Sequence, residues 1–350
     1  NAWRRLRKNK AAVAGLIVIV LSLLVAVFAY FLGNDHTPNA DRQIVEIQAR
    51  KPGYSQMFLK VKKQRMVQPA GFFSRLLFGK EDSYVLVPIN SYKVSGSNVI
   101  VEKYIDEGIR ESRVYPLSDL EKDFIATKTF WLGTDKFGRD ILSRIIVGVR
   151  VSLSVGLVAV VVSLLIGVFL GAIAGYYGGR TDSLVMWLIN VVWSMPTLLL
   201  VFGLTLTLGK GFWQIFLAVG LTMWVSVARV VRGQVMAIVQ LEYIQAAKAL
   251  GIRNNRIIAR HILPNVMGPV MVLAAANFAS AIIIEAGLSF LGVGIQPPTP
   301  SWGLMLKENY NFIITHNPAL ALAPGVAIMI LVLAFNLLGN GLRDALDVRG

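Results

Sequence analysis

The residue types that usually carry chemistry are sparse in this sequence. It contains no cysteine, and its three histidines, His36, His261 and His316, stand far apart without ligand spacing. Disulfide frameworks, thiolate metal sites and cysteine nucleophiles are thereby excluded, and no histidine metal site is expected. The stretch GLTLTLGKG looks at first like a phosphate loop. However, five residues separate Gly203 from Gly209, and Gly211 stands where a magnesium-binding Ser or Thr should be. The pairs Gly292/Gly294 and Gly339/Gly341 lack the third glycine and acidic partner of a dinucleotide fingerprint. No G-x-S-x-G, H-E-x-x-H or paired-carboxylate pattern occurs. The chain is expected to bind no cofactor and to hydrolyse nothing by itself.

Docking chemistry is better represented. Residues 241–265, LEYIQAAKALGIRNNRIIARHILPN, read as two short amphipathic helices around a glycine break. The first ends at Leu250, and Gly251 suits the left-handed residue that terminates a helix. Asn254 or Asn255 can cap the second, which Pro264 is expected to limit. Ala246 and Ala247 form a small, smooth surface flanked by Tyr243 and Leu250. Such a surface fits a groove on another protein, although an ordinary interfacial loop has the same periodicity.

The elements that must position this segment are membrane spans. Of 350 residues, 55% are apolar or aromatic and only 16% are charged, where a soluble chain would have about 25% charged. The excess lies in six runs: Ala11–Leu32, Val151–Tyr177, Ser183–Gly209, Gly211–Ala228, Val266–Ile284 and Ala319–Leu342. Each is long enough to cross a hydrocarbon core of ~30 Å at ~1.5 Å per residue. Lys210 is the one charge in the third and fourth runs together. Their joint helical length would be ~69 Å, so a turn is expected at Gly209-Lys210-Gly211. A chain opening on Asn1 reads as beginning inside a longer polypeptide, and its first apolar run reads as an anchor rather than a signal peptide.

The formal charge of +15 follows topology. With six spans both termini share one side. If that side is the cytoplasm, its tails and short loops hold 14 Lys and Arg, against Lys210 and Lys307 on the other. No interleaved basic and aromatic stripe suggests a nucleic-acid groove. Residues 33–130 then form an extracytoplasmic insert. Its runs IVEIQ (44–48), FLKVK (58–62) and YVLVPINSYKVSGSNVIVEKY (84–104) alternate like strands, the last turning at Ser95–Asn98. A short apolar-basic helix around GFFSRLLFG is expected at the bilayer surface.

Within the spans, Gly167, Gly171, Gly175 and Gly179 recur every four residues and predict close helix packing. Pro196 predicts a kink. Asn277 and Ser280 share a face of the fifth run, and Glu285 follows that run directly. As a boundary carboxylate Glu285 reaches water; buried, it could pair with a partner's basic residue or receive an amine. Pro196, Asn277, Ser280 and Glu285 are the candidates for lining a translocation path, although interhelical hydrogen bonding explains the polar pair equally.

Segment 241–265 also resembles the cytoplasmic coupling loop of ABC importer permeases, whose pattern is E-A-A, three residues, G, nine residues, I-x-L-P. Gln245-Ala246-Ala247, Gly251 and Leu263-Pro264 fall in register, with Gln245 at the Glu position and His261 at the Ile position. WLGTDKFGRDILSRIIVGVRVSL (131–153), LSFLGVGIQPPTPSWGLML (288–306) and NGLRDALDVR (340–349) resemble further motifs of the peptide-type permeases, in the same order. The resemblance covers residues 1–32 and 131–350; the insert is outside it.

The resemblance implies an all-α polytopic membrane protein with six transmembrane helices, in type I ABC importer permease architecture, plus a small extracytoplasmic β-rich insert. Its parts would be a cytoplasmic basic tail (1–10), a first transmembrane helix (11–32), the insert (33–130) and a permease core (131–350). It further implies a non-catalytic subunit of an ATP-driven peptide importer in the bacterial cytoplasmic (inner) membrane, with both termini cytoplasmic. Its partners would be a second homologous permease, two cytoplasmic ATPase subunits that bind ATP and magnesium, and an extracytoplasmic peptide-binding protein. Glu242, Tyr243, Gln245, Ala246, Ala247, Leu250, Gly251, Leu263 and Pro264 would dock an ATPase. Gly251→Val or Ala247→Asp should then block docking and leave the fold intact, whereas Lys248→Gln on the opposite face should do little. A same-family permease for nickel chelates or other small solutes shares these features. An ion-coupled secondary transporter would leave the docking loop without a purpose, and a membrane-anchored sensor would leave the four motifs unexplained.

Overall fold

The computed structural model describes residues 2–65, 67, 70–106, 108–209, 211–313 and 317–346. Lys210, His316 and the last residues of the C-terminal motif lie outside the described residues. The helices are α1 (Ala2–Lys8), α2 (Lys10–Val27), α3 (Ala29–Leu32), α4 (Phe72–Phe78), α5 (Ile141–Tyr177), α6 (Gly179–Trp193), α7 (Thr197–Leu208), α8 (Phe212–Val239), α9 (Glu242–Ala249), α10 (Asn254–Ile257), α11 (Leu263–Phe290), α12 (Trp302–Asn309) and α13 (Ala319–Leu346). Five strands lie between α3 and α5: β1 (Tyr54–Lys62), β2 (Tyr84–Ser95), β3 (Asn98–Asp106), β4 (Ile109–Pro116) and β5 (Leu120–Phe130). Residues 1–22, 152–296 and 328–350 form one compact unit, and 23–151 with 297–327 form another.

Among the described residues, five helices are long and apolar enough to cross a membrane: Lys10–Val27, Ile141–Tyr177, Phe212–Val239, Asn254–Phe290 and Ala319–Leu346. The third expected span is a pair instead, α6 and α7, bent by 91° at the break before Thr197. Counted as one, the pair makes six candidates. Pro196 supplies the break, because it has no N–H to continue the ladder and holds ψ at 124°. The second span begins at Ile141, ten residues before the apolar run does. Arg144 and Arg150 interrupt hydropathy there without interrupting the helix.

In the first unit, α5 packs on α8 through its glycines. A Cβ built on Gly167 would lie 2.7 Å from Trp224 O; on Gly171, 2.5 Å from Ala228 O; on Gly175, 2.6 Å from Arg232 O. Only hydrogen at Cα lets the two backbones come this close. Gly179 departs from the expected stripe. It begins α6 with φ +51 and has no neighbour within 4 Å. The Arg232 guanidinium forks onto Asp182, with Nη2 2.5 Å from Oδ2, and ties α6 to α8.

The second unit holds an antiparallel sheet in the order β4-β3-β2-β1-β5. Ser95 pairs with Asn98 across a two-residue turn, and Gly96 takes the positive φ of +60 that such hairpins require. Phe58 and Leu59 point to opposite faces and are both fully buried. Phe58 sits with Ile44, Ile47, Leu86, Tyr104 and Phe130; Leu59 sits with Ile89, Val99, Val101 and Leu120. The expected strand at IVEIQ is a single 3-10 turn, Val45–Ile47; Ile44 and Ile47 pack with the sheet's core residues, and Val45 is exposed. The helix at GFFSRLLFG forms and leaves Phe72, Phe73, Leu77 and Phe78 exposed.

In the same unit, Arg139 is held by three carboxylates, Asp135 at 2.6 Å, Asp41 at 3.0 Å and Glu308 at 2.7 Å. Arg144, also buried, reaches Asp41 at 3.4 Å. Burial pulls the Lys128 amine down to about 8, while its Nζ donates to Asn34 O at 2.8 Å.

Gly171→Val should drive a side chain into the α8 backbone and destabilise the subunit by roughly 1–3 kcal/mol, read as a lower unfolding midpoint. Gly203→Ala, with no neighbour within 4 Å, should not; equal midpoints would dismiss the close approach. Lys128 gives a pH test. Its folded pKa lies below the unfolded value of about 10.4, so between the two the unfolded chain binds the extra proton and stability rises with pH. The unfolding midpoint should climb from pH 8 toward pH 10 and Lys128→Met should flatten that climb; an unaltered slope would assign it elsewhere.

Candidate functional site

The loop between the fourth and fifth spans is built as two turns on a common core. Helix α9 ends at a left-handed glycine: Gly251 has φ +71, Ile252 N donates to Ala247 O at 3.2 Å, and Gly251 N donates to Lys248 O at 3.0 Å. These two bonds satisfy carbonyls that the helix end would otherwise leave bare. The following helix starts after Arg253, not under an asparagine cap. Asn254 Oδ1 instead accepts the Tyr176 hydroxyl at 2.8 Å, fastening the turn to the end of α5.

Pro264 does not limit that helix. Residues Ile258–Ile262 widen into a π turn, Leu263 N donates to Ile258 O, and α11 continues through Pro264 to Phe290. The extra residue in the turn makes room for a proline ring and a missing N–H that an ordinary helix would not accommodate.

The expected docking residues divide by face. Tyr243, Gln245, Ala246 and Leu250 are exposed, Leu250 by 81%. Neighbouring Leu241 is exposed too, and Glu242, Gly251 and Pro264 stand at the surface. Ala247 turns inward, and so does Ile244. Both belong to an apolar core with Tyr176 of α5, Val231 and Val235 of α8, and Ile257, Ile262 and Val266 below them, against which Leu263 packs. The smooth surface is therefore Ala246 with Leu241, Tyr243 and Leu250. Lys248 is not a solvated control position, since its Nζ lies 4.9 Å from the centre of the Tyr176 ring.

A second feature of the same unit is a cavity of about 420 Å³ between the α6–α7 break, α8 and α11. Asn277 and Ser280 line it, as do Trp193, Thr197, Thr222 and Ser226. Pro196 is not in the wall but positions Thr197 by breaking the helix. Glu285 is not in the wall either and does not reach water. It is fully buried, and its Oε1 accepts the Ser289 hydroxyl at 2.6 Å, which in turn accepts Ile295 N at 3.0 Å. Thr222, Ser226 and the adjacent Arg229 escaped sequence reasoning. Arg229 as the first charge after an apolar run was the signal available.

Residues 167–349, more than half of the chain, match the family of binding-protein-dependent transport system inner membrane components. Residues 1–52 match the N-terminal transmembrane domain of oligopeptide transport permease C. The chain belongs to the first of these families. Among similar proteins, a dipeptide transport system permease of Alkalihalophilus pseudofirmus is 44% identical over 62% of this chain and 71% of that one. An oligopeptide permease of Bacillus subtilis is 42% identical over 65% of this chain and 74% of that one. A dipeptide permease of the same organism is 33% identical over 99% of this chain and 84% of that one, so its alignment runs through the insert. A solved inward-facing methionine transporter overlays at TM-score 0.47, with 18% identity over 59% of this chain and 96% of that one, too loosely to add weight. The permease is thus a membrane-embedded transport subunit without catalysis of its own.

Within this permease, Leu250→Asp should leave the unfolding midpoint unchanged, because the side chain is almost free of internal contact. If this face docks an ATPase, the variant should nonetheless strip that subunit from the purified complex. Ala247→Asp should lower the midpoint itself, since a carboxylate enters the core. Gly251→Val meets no atoms within 4 Å, so its effect is backbone strain of roughly 1 kcal/mol or more. Retention of the ATPases by Leu250→Asp would remove docking from this face.

Proposed function

We propose that the chain is one membrane half of an ATP-driven peptide importer, docking an ATPase subunit through residues 241–265. One observation carries the reading. Leu241, Tyr243, Ala246 and Leu250 are exposed on α9 and at its two ends, beside the polar Glu242 and Gln245, while its inner face, Ile244 and Ala247, is packed into the same core as α5, α8 and α11. A partner seated on Leu241, Tyr243 and Leu250 would therefore load the spanning helices directly. The relatives' names, dipeptide and oligopeptide transport permeases, support peptide as the substrate class.

In this reading the subunit has type I ABC importer architecture and sits in the bacterial inner membrane with both termini cytoplasmic. The sheet domain lies outside, where a peptide-binding protein delivers its cargo. A second homologous permease completes the path, and two ATPase subunits hold ATP and magnesium. Closure of the ATPase pair draws the coupling loops together and opens the cavity outward; hydrolysis returns it inward. The permease needs only two packed states of similar energy, biased by docking.

The complete complex, purified with ATPases, second permease and binding protein, should show ATPase activity stimulated by loaded binding protein. Stimulation by nickel chelates or another solute but by no peptide would overturn the substrate class, and a subunit that never co-purifies with an ATPase would overturn the docking role.

A further inference from the structure

Arg229 lies on α8, a candidate span, one helical turn beyond Val225 and Ser226, which line the cavity. Its guanidinium stacks on the ring of Trp193, itself part of the cavity wall, at 3.6 Å from the centroid. Among the described residues no carboxylate lies within ion-pair distance of it, and its buried Nε has no hydrogen-bond partner. A cation without an anion on such a helix is expensive to keep and marks a place where an anion arrives.

The cavity beside it has a matching polar pattern. Thr222 Oγ1 donates to Val219 O at 2.9 Å and Ser226 Oγ donates to Met223 O at 3.1 Å. Their hydrogens are used, so both hydroxyls offer only lone pairs to the cavity. The Asn277 side chain is 7% exposed, lines the cavity and has no partner for its Nδ2. Among the described residues no charged one is in the lining. Acceptors on one wall, an uncommitted carboxamide on another and a cation just outside form the complement of a main-chain amide followed by a carboxylate.

Resting on the peptide reading above, we propose that this cavity binds the carboxy-terminal unit of a peptide. Thr222, Ser226 and Asn277 receive the last amide, and Arg229 receives the terminal carboxylate. Such a site would ignore side chains and recognise what every peptide shares.

The test is equilibrium binding of radiolabelled trialanine to the purified permease–ATPase complex without binding protein, with trialanine amide as competitor. The wild type should favour the free acid by about tenfold, the scale of one charge-assisted hydrogen bond. Arg229→Gln should weaken only the free acid and erase the preference, and Arg229→Lys should restore part of it. Asn277→Leu should weaken both ligands alike. Unchanged preference in Arg229→Gln would overturn the proposal. So would loss of the second permease from the Arg229→Gln complex, which would make Arg229 an intersubunit contact. Absence of binding in a system that still transports trialanine removes this site alone, whereas a complete system that transports no peptide removes the site and the substrate reading together.

Discussion

The contact between α5 and α8 sets the position of everything functional in the first unit. In lipid each helix satisfies its own backbone, so helices are held to one another by packing rather than by shared hydrogen bonds. Gly167, Gly171 and Gly175 let the α8 carbonyls of Trp224, Ala228 and Arg232 come within reach of the α5 backbone. That approach fixes the depth and rotation of α8. Thr222, Ser226 and Arg229 inherit their places from it, and so does the start of the loop beyond Gln240. The apolar core then runs without a break from Ala172 and Tyr176 through Val231 and Val235 to Ile244 and Ala247. Close-packed side chains yield little under load, so α9 and the helices above it are mechanically one piece.

Charge in the second unit works by a different rule. Arg139 and Arg144 are almost wholly buried, yet carboxylates surround them: Asp135 from four residues before Arg139, and Asp41 and Glu308 from distant parts of the chain. Removing one partner of such a cluster leaves an uncompensated buried charge, typically a loss of about 3–5 kcal/mol. The GTDKFGRD stretch is thus held in shape partly by Asp41 and Glu308, which no local pattern connects to it.

What was readable in the sequence was whatever a single residue or a long average determines. Hydropathy over some twenty residues reveals spans, and Gly251 reveals its left-handed turn because other residues pay strain there. Pro196 announced a break but not its 91° size, which depends on what α7 packs against. Short elements were ambiguous. An eight-residue helix has too few positions to fix its inner face, so Ala247 and Ala246 looked alike until Val235 and Ile262 were seen beside one of them. Alternation over Ile44–Gln48 looks like a strand because the run is too short to separate a spacing of two from the three-residue spacing, Ile44 and Ile47, that the 3-10 turn buries. Glu285 looked like a boundary residue because its burial depends on Ser289 and the turn at Ile295, a contact made by folding back.

The π turn at Ile258–Ile262 amounts to one residue more than an α-helix of the same rise would contain. Each helical residue turns the chain by about 100° and advances it by about 1.5 Å. The length of the segment from Gly251 to Pro264 therefore acts as an angular setting between the docking face and the axis of α11. Shortening it by a single residue while the π turn is kept would swing Leu250 and Tyr243 about a quarter-turn around that axis, whereas relaxing the turn to an ordinary helix would absorb the loss. Homologues that differ here by one residue would then differ not in contact chemistry but in the direction from which an ATPase must approach.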